Sequence, residues 1–425
     1  MLEGRGFESI ILSALMALAL PLHANELETR ITLSAEFTDN SLREREEEVS
    51  ELLLTPTVDI KYLYELSSLK ANLDYSFKRQ DYRDDTFEDR TDVIGEGTIL
   101  WAVIDNRMNW TFYHSENRIS VNNQLAETPS NEDERTVLRT GPTIKLISRA
   151  KSELSIDAWY MESNSENFLD AEMMQGQMDY SRRFGGSIAG GLFYSVSALK
   201  SEGDLIDYDS KSYGINVSRR GQNLSLQLQY GRNTLEPGFA GRISGPFFVA
   251  SLNWVTPDRQ LSLKANRELT DSSFGLSLND NVGSSLENGD GNIGAQDVIE
   301  RWRHEFSYTE GSGKGELTAS LIYDKQSFIS LHESENTRTA LIRYRYPLSR
   351  RVTLTYEYRH QVREFKAADG DDEATDKRHM IGIRYRVNSS WDVQLDLEDE
   401  NRHLKFGTFR GHDAFTAKLK ISCRL

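Results

Sequence analysis

The feature that most constrains this chain is a period-two alternation of apolar and polar residues, repeated from end to end. In "IRYRYPLSRRVTLTYEYRH" (342–360), Ile342, Tyr344, Tyr346, Val352, Leu354, Tyr356 and Tyr358 share one parity. Arg343, Arg345, Thr353, Thr355, Glu357 and Arg359 take the other. The same pattern runs through Ile31–Phe37, Leu69–Phe77, Leu224–Tyr230, Ile381–Val387 and Phe415–Leu425. Alternation of this kind marks β-strands with two unlike faces. After Ala24 no run is long and apolar enough for a transmembrane helix, and no helical periodicity competes. Two architectures remain: a soluble sandwich with its apolar face inward, or a membrane barrel with that face outward.

The connections discriminate between them. One set is short: "ELSS" near Glu65, "VIDN" near Asp105, "RRFGG" near Phe184, "RRGQ" near Gly221, "TPDR" near Pro257, "EGSGKG" near Gly313, "PLSR" near Pro347 and "NSS" near Ser389. The other set is longer and acidic: Arg43–Glu48, Asp84–Asp92, Ser130–Arg135, Asn279–Asn292 and Asp369–Asp376. The two kinds alternate along the chain. Short turns on one rim and long polar loops on the other are the layout of an outer-membrane barrel. The expectation is an all-β, transmembrane, antiparallel up-and-down barrel of about 20 strands (16–20), with short periplasmic turns, long acidic extracellular loops and both termini on the short-turn side. Val93–Ile99 and Met174–Tyr180 are its least regular strands.

The N-terminus agrees. Arg5, an apolar run from Ile10 to Leu20, and Leu22-His23-Ala24 have the form of a cleaved signal peptide over 1–24, leaving 25–425 as the barrel. The mature chain holds one cysteine, Cys423, and so no internal disulfide, which suits a bacterial envelope protein. A formal net charge of −16 argues against nucleic acid as a partner, since phosphate binding needs a basic footprint.

In a barrel the aromatic residues should ring the apolar face at both interfaces. Tyr62, Trp101, Trp254, Tyr346 and Trp391 sit beside short turns, while Tyr75, Tyr160, Tyr194, Tyr230, Tyr323 and Tyr358 sit toward the loop ends, all on apolar parity. The polar parity then lines the lumen, with Arg343, Arg345, Glu357, Arg359, Arg384, Arg386, Asp392, Asp396, Lys418 and Lys420 as its candidates. Signs alternate between neighbouring strands (Arg384 and Arg386; Asp392, Asp396 and Glu398; Lys418, Lys420 and Arg424), as cross-strand attraction favours. Such a wall compensates itself and stays wettable. Four aromatics fall on inner parity, Tyr113, Trp159, Phe193 and Phe247, and are candidates for stacking on saccharide rings.

Catalytic, metal and cofactor sites are not expected. No serine-centred elbow or metal-ligand spacing occurs, "NGDGN" (288–292) lacks the terminal Glu of a calcium loop, and His332, His360, His379, His403 and His412 lie toward loop ends.

The segment Gly245–Leu278, with a Gly-Pro opening a strand, a Trp before a short Pro-containing turn and a basic-aromatic run after it, resembles a repeated element of one group of barrels. Thr140–Leu146, Trp101–Trp110 and Thr55–Tyr62 look like further copies. The group is the outer-membrane β-barrel proteins of exopolysaccharide and exosortase (PEP-CTERM) gene systems, relatives of the type-two β-barrel porins. The resemblance implies residence in the outer membrane of a Gram-negative bacterium, a part in exopolysaccharide export, and no catalytic residues. A general diffusion porin and a closed barrel that docks surface polymer are the alternatives. Expected partners are outer-membrane lipid and lipopolysaccharide, the barrel-insertion machinery and exopolysaccharide. The chain ends in Leu425, where such barrels carry an aromatic residue, and Cys423 takes a lipid-facing position.

Overall fold

The computed structural model describes residues 26–44, 48–120, 128–165, 170–201, 207–238, 241–271, 298–329, 332–367, 370–405 and 411–425. The expected signal peptide and the 279–292 run lie outside them. Twenty strands form one sheet. In chain order they are β1 (Glu26–Thr38), β2 (Glu51–Glu65), β3 (Leu69–Tyr82), β4 (Arg90–Ile104), β5 (Met108–Ser120), β6 (Glu132–Arg149) and β7 (Ser152–Ser165). There follow β8 (Ala171–Gly185), β9 (Ile188–Ser201), β10 (Tyr208–Arg220), β11 (Leu224–Pro237), β12 (Ile243–Val255), β13 (Arg259–Asp271) and β14 (Val298–Ser312). The last six are β15 (Gly315–Phe328), β16 (Glu333–Pro347), β17 (Val352–Ala367), β18 (Gly370–Arg386), β19 (Trp391–Leu404) and β20 (His412–Arg424). Each pairs antiparallel with its neighbours in sequence, and β20 returns to β1 over Arg30↔Arg424 to Thr38↔Thr416. That ladder closes the sheet into a barrel. Both segments of least regular pattern are full strands, β4 and β8.

No helix among the described residues is long and apolar enough to cross a membrane. The crossing is made by strands. A bilayer core offers no partner to a backbone N–H, so an open sheet edge there costs several kcal/mol per unpaired group; closure removes the edge. Exposure follows parity. Leu27, Ile31, Leu33 and Phe37 of β1, Tyr344 and Tyr346 of β16, Tyr356 of β17, and Ile381, Ile383 and Tyr385 of β18 are all exposed on the outside. A soluble protein would hide that belt; a closed barrel wearing it is an outer-membrane barrel.

Local breaks have local causes. Pro56 and Pro142 carry no N–H, and the β2–β3 and β6–β7 ladders skip a pair of residues at each. At Gly141 the β7 backbone comes so close that a Cβ would lie 1.8 Å from the Ala158 carbonyl oxygen.

The rims depart from expectation in two ways. Three acidic runs assigned to loops continue into strands: Arg90–Asp92 belongs to β4, Glu132–Arg135 to β6 and Gly370–Asp376 to β18. The strands outlast the bilayer, and above it charged residues can pair across a ladder in water at little cost. The β6–β7 connection at Ala150–Lys151 is a further short turn whose residues carry no turn signature.

Candidate functional site

The candidate site is the inner wall, which divides into two unlike sectors. Over β14–β20 and β1–β3 it is charged and paired. Arg343 meets Glu357 at 2.6 Å, Arg345 meets Glu316 at 3.5 Å, and Arg384 meets Asp392 at 2.6 Å. Lys418 pairs with Glu36 at 2.5 Å and Lys420 with Asp396 at 3.1 Å. Arg359 donates to the Gln361 side chain at 2.9 Å, and Arg386 stands opposite Asp392 in register. All ten lumen-lining candidates lie on the inner parity of their strands, and nine have an acid, base or amide of the next strand or the same strand within reach. Arg30 and Arg424 face each other at the closing ladder, and Glu28 lies 3.6 and 2.9 Å from them, relieving the repulsion. Farther up, Asp324 accepts from both Arg301 and Arg303. The sequence does not single these three out, because only the β14–β15 register brings them together.

The second sector, β5–β12, carries few charges. Its floor is set by a row in register: Phe193 beside Gly214, Gly214 beside Gly231, Gly231 beside Phe247. The two glycines leave bare backbone between the phenyl rings, which lean over it and meet edge-to-face at 5.5 Å. Above lie two ladders of hydroxyl and amide groups: Gln177, Ser195, Ser212 and Asn233, then Gln175, Ser197 and Ser210. Among the described residues the Ser197 Oγ and Asn233 Oδ1 have no hydrogen-bond partner although both are buried. At the edge of this sector Trp159 follows Gln175 in the row, and the Arg139 guanidinium lies over its ring at 3.9 Å. Tyr113, opposite Arg139, donates to Glu96 at 3.2 Å.

The four aromatic candidates therefore all face inward but are differently placed. Phe247 is 0% exposed, Tyr113 4% and Phe193 7%, so each is engaged with its own wall. Trp159 is half-buried beside the hydroxyl ladders. Sequence reading found the rings but not Arg139, whose relation to Trp159 depends on the β6–β7 register.

The loop end of this sector is apolar. Met161, Met173, Leu199, Tyr208 and Leu235 converge there with Leu269 and Val298 from the β13–β14 hairpin. The β12–β13 ladder stops at Phe248↔Arg267, and beyond it β13 leans across β12. Asn233 donates to the Leu269 carbonyl at 2.7 Å, and the Leu269 side chain packs over Gly245. The hairpin's described end thus turns inward over one side of the mouth.

The described histidines among the sequence candidates lie apart from one another except for one pair. His360 and His379 point outward beside Tyr358, and His412 stands 3.5 Å from Glu400. Among the described residues no three His, Cys, Asp or Glu side chains are placed to hold a metal ion.

No protein-family model matches the sequence, and no curated protein sequence matches it. Among solved structures, the FrpB iron transporter from Neisseria meningitidis (F5-1 variant) is similar over 95% of this chain and 83% of its own, at 9% identity and a TM-score of 0.48. Pseudomonas aeruginosa OpdK, solved with vanillate, is similar over 95% and 99%, at 12% identity and a TM-score of 0.41. The copper transporter OprC is similar over 94% and 80%, at 9% identity and a TM-score of 0.45.

Proposed function

We propose that this chain is a porin-like outer-membrane channel that serves as a translocation component in exopolysaccharide export. The observation that carries the reading is the inner sector of β7–β11, where two ladders of hydroxyl and amide side chains run beside Trp159. Sugar hydroxyls exchange hydrogen bonds with such groups at little net cost, and a pyranose face stacks on an indole. The opposite wall, compensated pair by pair, supports hydration without a strong field that would hold a charged polymer in place.

Recording single barrels in planar bilayers with added oligosaccharide tests this. A steady current that oligosaccharide blocks is expected, and Trp159→Ala should raise the blocking concentration about fivefold, for a stacking contribution of ~1 kcal/mol. Unchanged block in that variant would remove the saccharide track. Polymer retained inside cells that lack the gene would support the export role, and normal secretion would refute it.

A second reading, a closed barrel that docks surface polymer, is favoured by the inward lean of the β13–β14 hairpin and its apolar cluster. It predicts no steady current in the same recording.

A further inference from the structure

The outer wall holds a feature that solute passage does not use. Between β11 and β17 the lipid-facing surface sinks into a groove of about 780 Å³, lined chiefly by apolar side chains, with His304, Arg338 and His360 among them. Its floor is made by small outward residues, with Ala250 opposite Ala265 and Ala340 three strands further on. Leu226, Leu252, Leu263, Phe306 and Leu321 form its banks. A flat belt needs only apolar residues; a channel floored by alanine is shaped to take a chain.

Cations cap the loop end of this groove. Lys325, Arg338, His360 and Lys377 all project outward from four successive strands, β15 to β18. Register makes them diagonal or direct neighbours: Tyr323↔Arg338, Ala340↔His360, His360↔Lys377. Arg338 is shared with Glu364 at 3.1 Å, whereas no carboxylate of the described residues is within ion-pair distance of Lys325 or Lys377. They stand about eight to ten residues above their short turns. At roughly 2.5 Å of height per residue, for strands tilted about 40°, that is ~20–25 Å, the upper edge of a band about 25 Å tall. Positive groups at headgroup height over an apolar groove match a lipid whose phosphates sit at the surface and whose chains run down the wall.

We propose that this groove is a binding site for a bis-phosphorylated, multiply acylated saccharolipid of the outer leaflet, the lipid A moiety of lipopolysaccharide. The loop rim faces that leaflet. The cations span three strand spacings, about 14 Å at ~4.8 Å each, which suits two separated phosphates better than the single one of a phospholipid. Charge-assisted hydrogen bonds from Lys and Arg to phosphate supply the specificity and the alanine floor supplies the room.

The test is native mass spectrometry of the delipidated barrel, refolded in detergent and titrated with defined lipids. Wild type should retain lipid A at least tenfold more than its dephosphorylated form or phosphatidylglycerol. Lys325→Gln combined with Lys377→Gln should lose most of that preference, and Ala340→Phe, which fills the groove and leaves every charge in place, should lower retention independently. Heat-dependent gel mobility confirms that each variant has folded. Equal retention of dephosphorylated lipid A or of phosphatidylglycerol would overturn the proposal, and so would unaltered retention in both variants.

Discussion

Gly231 shows how much one missing side chain can decide. A Cβ there would lie 2.0 Å from the Tyr213 carbonyl oxygen, and one at Gly214 would lie 2.1 Å from that of Tyr230. No real Cβ sits so close, so Gly231→Ala must part β10 from β11 and lift Phe193 off Phe247. We expect it to destabilise the barrel by about 2 kcal/mol, within the usual range for overpacking, read as a lower midpoint of urea unfolding from lipid. The alternation in the sequence told that both phenylalanines face inward. It could not tell that two glycines lie between them, because that fact belongs to register across four strands and not to any one of them. Glu51, the outermost residue of β2, is another case. Burial works to raise its pKa, but the Asp84 and Thr86 amides donate to its carboxylate at 3.0 and 3.2 Å and hold it below the ordinary 4.5. Because the folded pKa is the lower one, this anchoring is complete above pH ~4.5 and is lost as pH falls through the folded value. Protection factors of the Asp84 and Thr86 amides, taken against the intrinsic exchange rate at each pH, should fall in acid, and Glu51→Gln should show low protection already at neutral pH.

Among the elements, the β13–β14 hairpin is the one whose behaviour the pattern did not foretell. Alternation over Arg259–Asp271 describes a strand like the others, and the lean over Gly245 appears only once β12 and β13 stop pairing. Asn233 holds that lean through one hydrogen bond from a side chain that is 1% exposed. Asn233→Ala removes the donor and leaves the Leu269 carbonyl to find water, at a cost of about 1–3 kcal/mol. Faster amide exchange at Leu269 and Thr270 is the expected result, with exchange in β11 below Gly231 unchanged. The acidic runs mislead for a related reason. Polarity signals a loop only where a strand must be half-buried, and β18 begins above the bilayer, where Asp372 and Glu373 can be strand residues as readily as Ile381.

At the scale of the molecule, strand count, closure and the direction of both faces could be read from the sequence because each rests on a pattern repeated along the whole chain. What could not be read is the division of the inner wall into a paired sector and a hydroxyl-lined one, since it depends on which strands stand side by side. That division predicts weak ion selectivity. With Arg343, Arg384, Lys418 and Lys420 each beside a carboxylate, a conducting barrel should show reversal potentials in a salt gradient only a few millivolts from zero, shrinking further at 1 M salt, where the screening length is about 3 Å. A strongly anion- or cation-selective current would show that these pairs open in the membrane.

The seam between β1 and β20 carries a further consequence, for how the molecule comes into being. Thr32 and Ser422 meet across it at 2.9 Å though 390 positions separate them. Bringing such distant points together costs a free chain about 5 kcal/mol beyond a constant, and nothing along the way reduces that until the intervening strands have paired. Every other ladder joins neighbours in sequence and can form as soon as both are delivered. The seam cannot, so it is the natural last step of assembly, and until it forms the first and last strands each keep a raw edge. A partly folded barrel is therefore a molecule with two adhesive borders. Its passage into the bilayer turns on those borders staying covered until they find each other.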